Sequence, residues 1–405
     1  MNILIINQPT KNRGDEAAHK AFIRTLLRET NHSYTILFVD ENESVIEQMM
    51  VHDSRVQYVN ERTFISKGKT FVVKLALIMN VISLVLLHPA FRIINKYIKK
   101  ADYVVCAPGG ISLGAFHNWE HLCSLLLAQK KKRTAYFSRS FGPFSAKNRL
   151  ERVYNKYSYR ALQSFGYLSV RDQKTMDLAE QMNIKYVRSI DSVFLDSELH
   201  ADVPAELSKS LGENYCVVVP NSLVWHPSYP IENRSAIDGL YYQIFDYVHR
   251  SYPSLTIVLL PQLFGQGKKG DYNYFLSLTE SKNKGDAKII VVNDSFNSEI
   301  QQRIISKAKF VIGARYHSIV FSLNNMVPFV ALSYEHKIAG LLSLLNMSNR
   351  LIDITSLSSQ NSRIENLEEK MQFILSMGLP PVESIELARK IAKTSLLKLS
   401  ESIKK

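Results

Sequence analysis

Apolar residues along this chain fall into two recurring patterns: short unbroken runs, and longer stretches in which they return every three or four positions. The first predicts buried β-strands and the second amphipathic helices. In the N-terminal half NILIIN (2–7) reads as a strand. The loop QPTKNRGD follows, then a helix from about Asp15 to Glu29 with Ala17, Ala18, Ala21, Phe22 and Leu26 on one face. YTILFVD (34–40), ADYVVCAPGG (101–110), RTAYFSRSFGPF (133–144), YLSVRD (167–172) and KYVRSIDSVF (185–194) continue the series. Strands alternating with helices predict a parallel sheet covered on both faces.

Residues 196–214 are polar and without a strong period, so they read as an interdomain linker. The pattern then restarts with YCVVVPNS (215–222), a helix near 235–251, LTIVLLPQ (255–262), AKIIVVND (287–294), a helix at 298–307, KFVIGARYHS (309–318) and VPFVALSY (327–334). The expected class is α/β, with two Rossmann-type doubly wound lobes and a cleft between them. The first lobe spans 1–195, the linker 196–214 and the second lobe 215–380. Residues 381–405 form an amphipathic C-terminal helix of the kind that packs back on a first lobe.

Length and composition agree with this division. A chain of 405 residues suggests two domains or three, and 46% apolar with 21% charged residues is ordinary for globular cores. Three cysteines (Cys106, Cys123, Cys216) without CxxC spacing argue for reduced thiols, a cytosolic context and no zinc ribbon. MNILII lacks a basic lead-in and a small-residue cleavage site, so it reads as a first strand and not as a signal peptide. The net charge of +13 favours anionic partners. No RNP motif, zinc finger or helix-turn-helix pattern supports nucleic acid among them.

One segment stands apart. FVVKLALIMNVISLVLL (71–87) is broken by Lys74, Asn80 and Ser83 and falls short of the roughly 20 apolar residues that span a bilayer. Lys67, Lys69 and Lys74 flank it on one side and Arg92, Lys96, Lys99 and Lys100 on the other. Two readings stand: a buried helix, or an element lying in a membrane interface with its basic residues on anionic headgroups.

Open parallel sheets bind ligands beyond the carboxyl ends of their strands, so the residues just after each strand are the candidates for chemistry. Arg315-Tyr316-His317 sits where a strand turns into an apolar helix. There, free backbone N–H groups attract an anion, Arg315 can grip a carboxylate or phosphate with two hydrogen bonds, and His317 can give or take a proton near neutrality. Arg171 leaves a strand in SVRD and has no capping use, which suggests an anion grip, while Asp172 is a natural N-cap. In NRGDEA, Asn12, Gly14 and Asp15 occupy the first strand-to-helix loop, and Asp15 either caps the helix or faces ligand. Gly109 and Gly110 allow close approach of backbone to a ligand. Arg139, Glu335 and Lys337 also follow strands. HNWEH (117–121) matches an H-x-x-E-H zinc pattern, but with no convincing third ligand His117 and His121 read better as cleft-lining residues, and no metal is expected. G-x-S-x-G, Walker and kinase signatures are missing.

Taken together, NRGDEA, PGG, FGPF, SVRD, the Asp of SIDSVF, GARYH and SYEHK resemble the polysaccharide pyruvyl transferase family in order and rough spacing over about residues 1–350. GARYHS and SVRD are the most specific matches. The chain departs from the family's pattern at Ile111, where a third glycine is usual, and in the SLGAFHNWEH that follows. The resemblance implies a GT-B-like fold, with the first lobe on the acceptor side and the second on the phosphoenolpyruvate side. It implies transfer of the enolpyruvyl group of phosphoenolpyruvate to two hydroxyls of a sugar, forming a ketal and releasing phosphate with no cofactor. Arg171, Arg315 and His317 would then contact phosphoenolpyruvate, with His317 as acid/base and Asp15, Asp172 and Glu335 as alternatives for the group that deprotonates the sugar. The implied acceptor is a polyprenyl-diphosphate-linked oligosaccharide of capsule or exopolysaccharide synthesis, handled in the cytoplasm or peripherally on the inner face of the plasma membrane. The alternatives are a GT-B glycosyltransferase using a nucleotide sugar and a non-catalytic protein of the assembly machinery.

Overall fold

The computed structural model describes residues 1–38, 42–60, 68–114, 117–223, 229, 231–264, 270–280, 286–359 and 363–405. The expected strand tip at Val39 and Asp40, and the flanking Lys67, lie outside them. The chain divides into two compact units. Unit 1 comprises residues 1–10, 15–196 and 389–405; unit 2 comprises 11–14 and 197–388.

Among the described residues, unit 1 contains a parallel sheet built from β1 (Asn2–Ile6), β2 (Ser33–Phe38), β3 (Val56–Asn60), β4 (Tyr103–Cys106), β6 (Arg133–Tyr136), β8 (Tyr167–Val170) and β9 (Val187–Arg188). Its order is β3-β2-β1-β4-β6-β8-β9, and a separate ribbon pairs β5 (Gly109–Leu113) with β7 (Arg139–Phe141). Alternation of side chains along each strand feeds two cores. Leu4, Ile6, Val104, Cys106, Leu168 and Val170 join one with Leu77, Phe91, Leu122 and Tyr154. Ile3, Ile5, Tyr103, Val105, Ala135 and Tyr167 join the other with Phe22, Ile23, Leu26, Leu396, Leu399 and Ile403. The strand order reverses between β1 and β4, which makes that point the ligand-binding crevice of an open α/β sheet.

Unit 2 holds β10 (Tyr215–Val219), β11 (Thr256–Leu259), β12 (Ile289–Val291), β13 (Val311–Gly313), β14 (Phe329–Ser333) and β15 (Leu351–Asp353), all parallel, in the order β12-β11-β10-β13-β14-β15. Its reversal lies between β10 and β13, so the residues after β13, beginning with Ala314 and Arg315, stand at the equivalent place. The terminal helix is Val382–Lys404. Ile385, Ala388, Ala392, Leu396, Leu399 and Ile403 are buried at helical spacing. The Tyr167 hydroxyl donates to the Ser395 carbonyl (2.6 Å), and the Tyr103 and Ser402 hydroxyls are 3.0 Å apart.

Four local expectations are corrected. The first helix begins at Arg13, two residues early, because the Asn12 side chain accepts the Gly14 N–H (2.7 Å) and Asp15 falls inside the first turn. The runs 101–110 and 133–144 are not single strands. Each breaks, after Cys106 and after Tyr136, and restarts as the β5–β7 ribbon; in the second gap Ser138 (φ +44°) takes a backbone angle that no strand sustains. The 185–194 run supplies only the two-residue β9, then a 3₁₀ turn that Asp191 caps by accepting the Val193 N–H (3.0 Å). The polar 196–214 segment carries a helix, Ala205–Leu211, that starts after Pro204, whose fixed φ suits a helix entry.

The terminal helix gives a direct test of the second core of unit 1. Leu396 is fully buried there. Leu396→Ala should cost about 2–5 kcal/mol, read as a lower urea midpoint for the full chain.

Candidate functional site

In unit 2 the helix Tyr316–Asn324 starts directly after β13 with Arg315 at its N-cap and no side-chain cap for its first amides. The helix His336–Leu344 after β14 likewise starts from Glu335 without a side-chain cap. Two helix N-termini with uncapped N–H groups thus stand at the ends of adjacent strands, each a favourable place for an anion. Arg315 is buried, and one Nη is bonded to the Asp271 carboxylate. Asp271 is held in turn by the N–H groups of Gln262 (3.1 Å) and Leu263 (2.9 Å). Burial by itself would lower the Arg315 pKa, but the charge of Asp271 reverses the sign and the net shift is upward, so Arg315 stays cationic. Glu335 and Lys337 form an ion pair at 3.1 Å. Asp271 escaped the sequence reading; its only signal was an acidic residue opening a helix (Asp271–Glu280).

His317 is 6% exposed, and the half-exposed Tyr316 meets it edge-on with centroids 5.1 Å apart. The NRGD segment closes against it. Asn12 makes a β-bridge with Leu263, the Arg13 amide donates to the Gln262 carbonyl (2.9 Å), and the Arg13 guanidinium stacks on Phe264 at 3.8 Å. Gly14 is thereby pressed so close to the imidazole that a Cβ there would lie 1.8 Å from its ring atoms. The glycine of NRGD is required by contact with His317, a pairing that sequence spacing does not reveal.

In unit 1 the crevice between β1 and β4 is organised by Arg139. Its Nη1 donates to the carbonyls of Asn7 and Ala107 (both 2.9 Å) and its Nε to that of Gly110 (3.1 Å). Arg139 was expected among the substrate contacts. It is 2% exposed and ties together the loops after β1 and β4, so its role is that of a brace. Gly109 lies against Pro9 and Asp15, with its would-be Cβ 2.9 Å from Pro9 Cγ and 3.4 Å from Asp15 Oδ1, while Gly110 faces open space. His117 (φ +40°) sits edge-on to Tyr154, and Glu120 pairs with Lys69 at 2.8 Å. His121 instead lines a cavity of about 300 Å³ with Asn7, Gln8, Asn118, Glu120 and Lys69. Within HNWEH, His117 is thus turned toward Tyr154, whereas Glu120 and His121 line one cavity.

Burial, with a smaller contribution from the Arg139 charge, pushes the His121 pKa down to about 3, and its Nδ1 has no hydrogen-bond partner. The buried His19, unremarked in the sequence, is also pushed to about 3, by burial and then by Lys20, with Nδ1 2.9 Å from Gln8 Oε1. Asp172 is the N-cap of the helix Gln173–Gln181. Its carboxylate accepts from the Thr175 N–H (3.0 Å), the Thr175 hydroxyl (2.8 Å) and the Ser140 hydroxyl (2.5 Å). Arg171 is buried and ion-paired with Asp191. Its charge is answered inside unit 1, unlike the open anion grip its sequence position suggested.

The polysaccharide pyruvyl transferase family model matches residues 12–336, well over half of the chain. The chain belongs to this family. The match begins at the Asn12 of NRGD and ends one residue beyond Glu335, so it takes in His121, Arg139, Arg171, Arg315 and His317. Among related proteins, the amylovoran biosynthesis protein AmsJ of Erwinia amylovora is 24% identical over 292 residues, covering 67% of this pyruvyl transferase family member and 68% of AmsJ. The fold resembles UDP-GlcNAc 2-epimerase of Methanocaldococcus jannaschii (TM-score 0.57, 14% identity, 99% of this chain and 100% of that one). It also resembles Anabaena Alr3699/HepE in complex with UDP (TM-score 0.54, 12% identity, 100% and 95%). At these identities the likeness concerns the fold, which is GT-B-like.

Two measurements follow. Gly14→Ala should displace the His317 ring, seen as a large shift of its imidazole NMR signals in a protein whose circular dichroism is unchanged. His19 and His121 bind protons more weakly folded than unfolded, so stability should be fully present above about pH 6.5 and fall as the pH drops toward about 3. The slope is about 1.4 kcal/mol per pH unit for each. In urea melts across this range, His19→Gln should remove one histidine's share of that slope.

Proposed function

We propose that this protein transfers the enolpyruvyl carbon of phosphoenolpyruvate onto two hydroxyls of a sugar, in the synthesis of an extracellular polysaccharide. The observation that carries this reading is the Arg315–His317 step at the start of the Tyr316–Asn324 helix, with Gly14 packed under the imidazole. Family membership and the name of the Erwinia relative support the reaction class and the polysaccharide context.

In this scheme the carboxylate and phosphate of the donor are held by Arg315, Lys337 and the two uncapped helix N-termini. His317 protonates the methylene carbon. The first sugar hydroxyl adds to the cationic carbon, the C–O bond to phosphate then breaks, and the second hydroxyl closes the ketal on the oxocarbenium that this leaves. Of the two hydroxyl protons, one balances the proton now on the methyl group and the other leaves with phosphate. Fixed cations on the departing phosphate supply electrostatic stabilisation. Arg171 acts at one remove, by fixing Asp191 at the end of its strand.

For the acceptor base, Asp172 is committed to capping and Glu335 to Lys337, which favours Asp15 beside Gly109. The cavity at His121 is assigned to the acceptor sugar, which we take to be carried on a polyprenyl diphosphate. A histidine that stays neutral there can both donate and accept a hydrogen bond to sugar hydroxyls.

His317→Ala should bind phosphoenolpyruvate almost normally yet lose at least about 100-fold in turnover, as expected for a general acid. Phosphate release with an acceptor present, alongside thermal shifts with phosphoenolpyruvate and with UDP-sugars, checks this. Near-normal turnover in the variant, or stabilisation by a UDP-sugar and not by phosphoenolpyruvate, would overturn the reading.

A further inference from the structure

The segment 69–100 folds as a helix Lys69–Ile78, a 3₁₀ turn Ile82–Leu87 and a helix Pro89–Lys100. Val73, Ala76, Leu77 and Val85 face the core of unit 1 with Phe91, Ile94 and Ile98. A surface helix normally offers charged residues on its other side. Here the other side is apolar too. Phe71 (69% exposed), Leu75 (43%), Ile78 (51%) and Met79 (55%) recur at helical spacing, and Val81 and Leu87 (75%) extend the patch along the turn. These are six of the thirteen exposed large apolar side chains among the described residues, gathered into 17 positions. Such clustering on an otherwise ordinary surface marks an interaction face.

The charge around this patch identifies its partner. From Lys69 to Lys100 there are five lysines, one arginine and no acidic residue. Arg92, Lys96, Lys99 and Lys100 lie exposed on the face of the second helix opposite Phe91, Ile94 and Ile98. Lys99, Lys130 and Lys131 stand close enough that the first two depress the Lys131 pKa after burial does. A second copy of this chain would bring the same cations face to face, whereas an anionic surface would answer them. No helix among the described residues is long and apolar enough to cross a membrane.

We infer that the 69–100 helix pair is a monotopic docking element that seats its exposed Phe71–Leu87 side chains in the interface of an anionic bilayer, with the cations of the second helix on lipid headgroups. This inference stands apart from the reaction, because the assay below contains neither donor nor acceptor.

The test is co-sedimentation of the full chain with phosphatidylcholine vesicles, with and without about 30% phosphatidylglycerol. The wild type should bind the anionic vesicles at least about tenfold more tightly than the neutral ones, and less tightly as salt rises. F71S/L75S/I78S should lose at least about tenfold in affinity while keeping its melting temperature, since these positions are exposed in the free protein. K96E/K99E/K100E, on the other helix, should lose the preference for anionic vesicles. Absence of wild-type binding, equal binding of wild type and the serine variant, or a wild-type dimer that the serine variant converts to monomer would each overturn the inference.

Discussion

A guanidinium taken out of water must have its charge answered, and the way Asp271 answers Arg315 determines the rest of the candidate site in unit 2. A buried cation without a partner costs several kcal/mol. With Asp271 in place, Arg315 remains charged at the N-terminus of a helix whose own dipole repels it and whose start has no side-chain cap. Asp271 in turn is fixed by two backbone amides of the 262–263 segment, and that segment also receives Asn12 and Arg13. One carboxylate therefore couples the strand end that carries Arg315 to the loop that brings Gly14 against His317.

Unit 1 solves a similar problem by different means. Its crevice is framed by backbone carbonyls, and Arg139 gathers three of them from two loops. Such a guanidinium is a structural cross-link: its charge meets carbonyl dipoles in a dry environment, and it holds the loops after β1 and β4 in register. The neutral, partner-poor His121 sits nearby, so this crevice offers hydrogen-bonding edges more than net charge. The cation-rich strand ends of unit 2 offer the opposite, net positive charge held beside helix N-termini.

Much of this was legible in the chain. The unbroken apolar runs mark nearly every strand because parallel strands covered on both faces need no polar alternation. Arg315, His317 and Gly14 stand out because they follow strand ends. Other features depend on contacts distant in sequence. Nothing local distinguishes Arg139, which carries the same charge as Arg315 at a similar strand end; only the carbonyls around it make it a brace. The Arg171–Asp191 pair is 20 residues apart and joins two strand ends that become neighbours only in the sheet. The break at Ser138 turns on a backbone angle that the surrounding apolar run conceals.

The terminal helix has a consequence for how the chain is made. Unit 1 is assembled from both ends of the polypeptide, and the face containing Ile3, Ile5 and Phe22 is completed by Leu396, Leu399 and Ile403. Its first strand is translated well before the residues that cover one side of its sheet. The N-terminal unit thus stays unfinished while the whole of residues 197–388 is translated and free to fold. A core begun by strand β1 is therefore completed by side chains nearly 400 residues away in sequence.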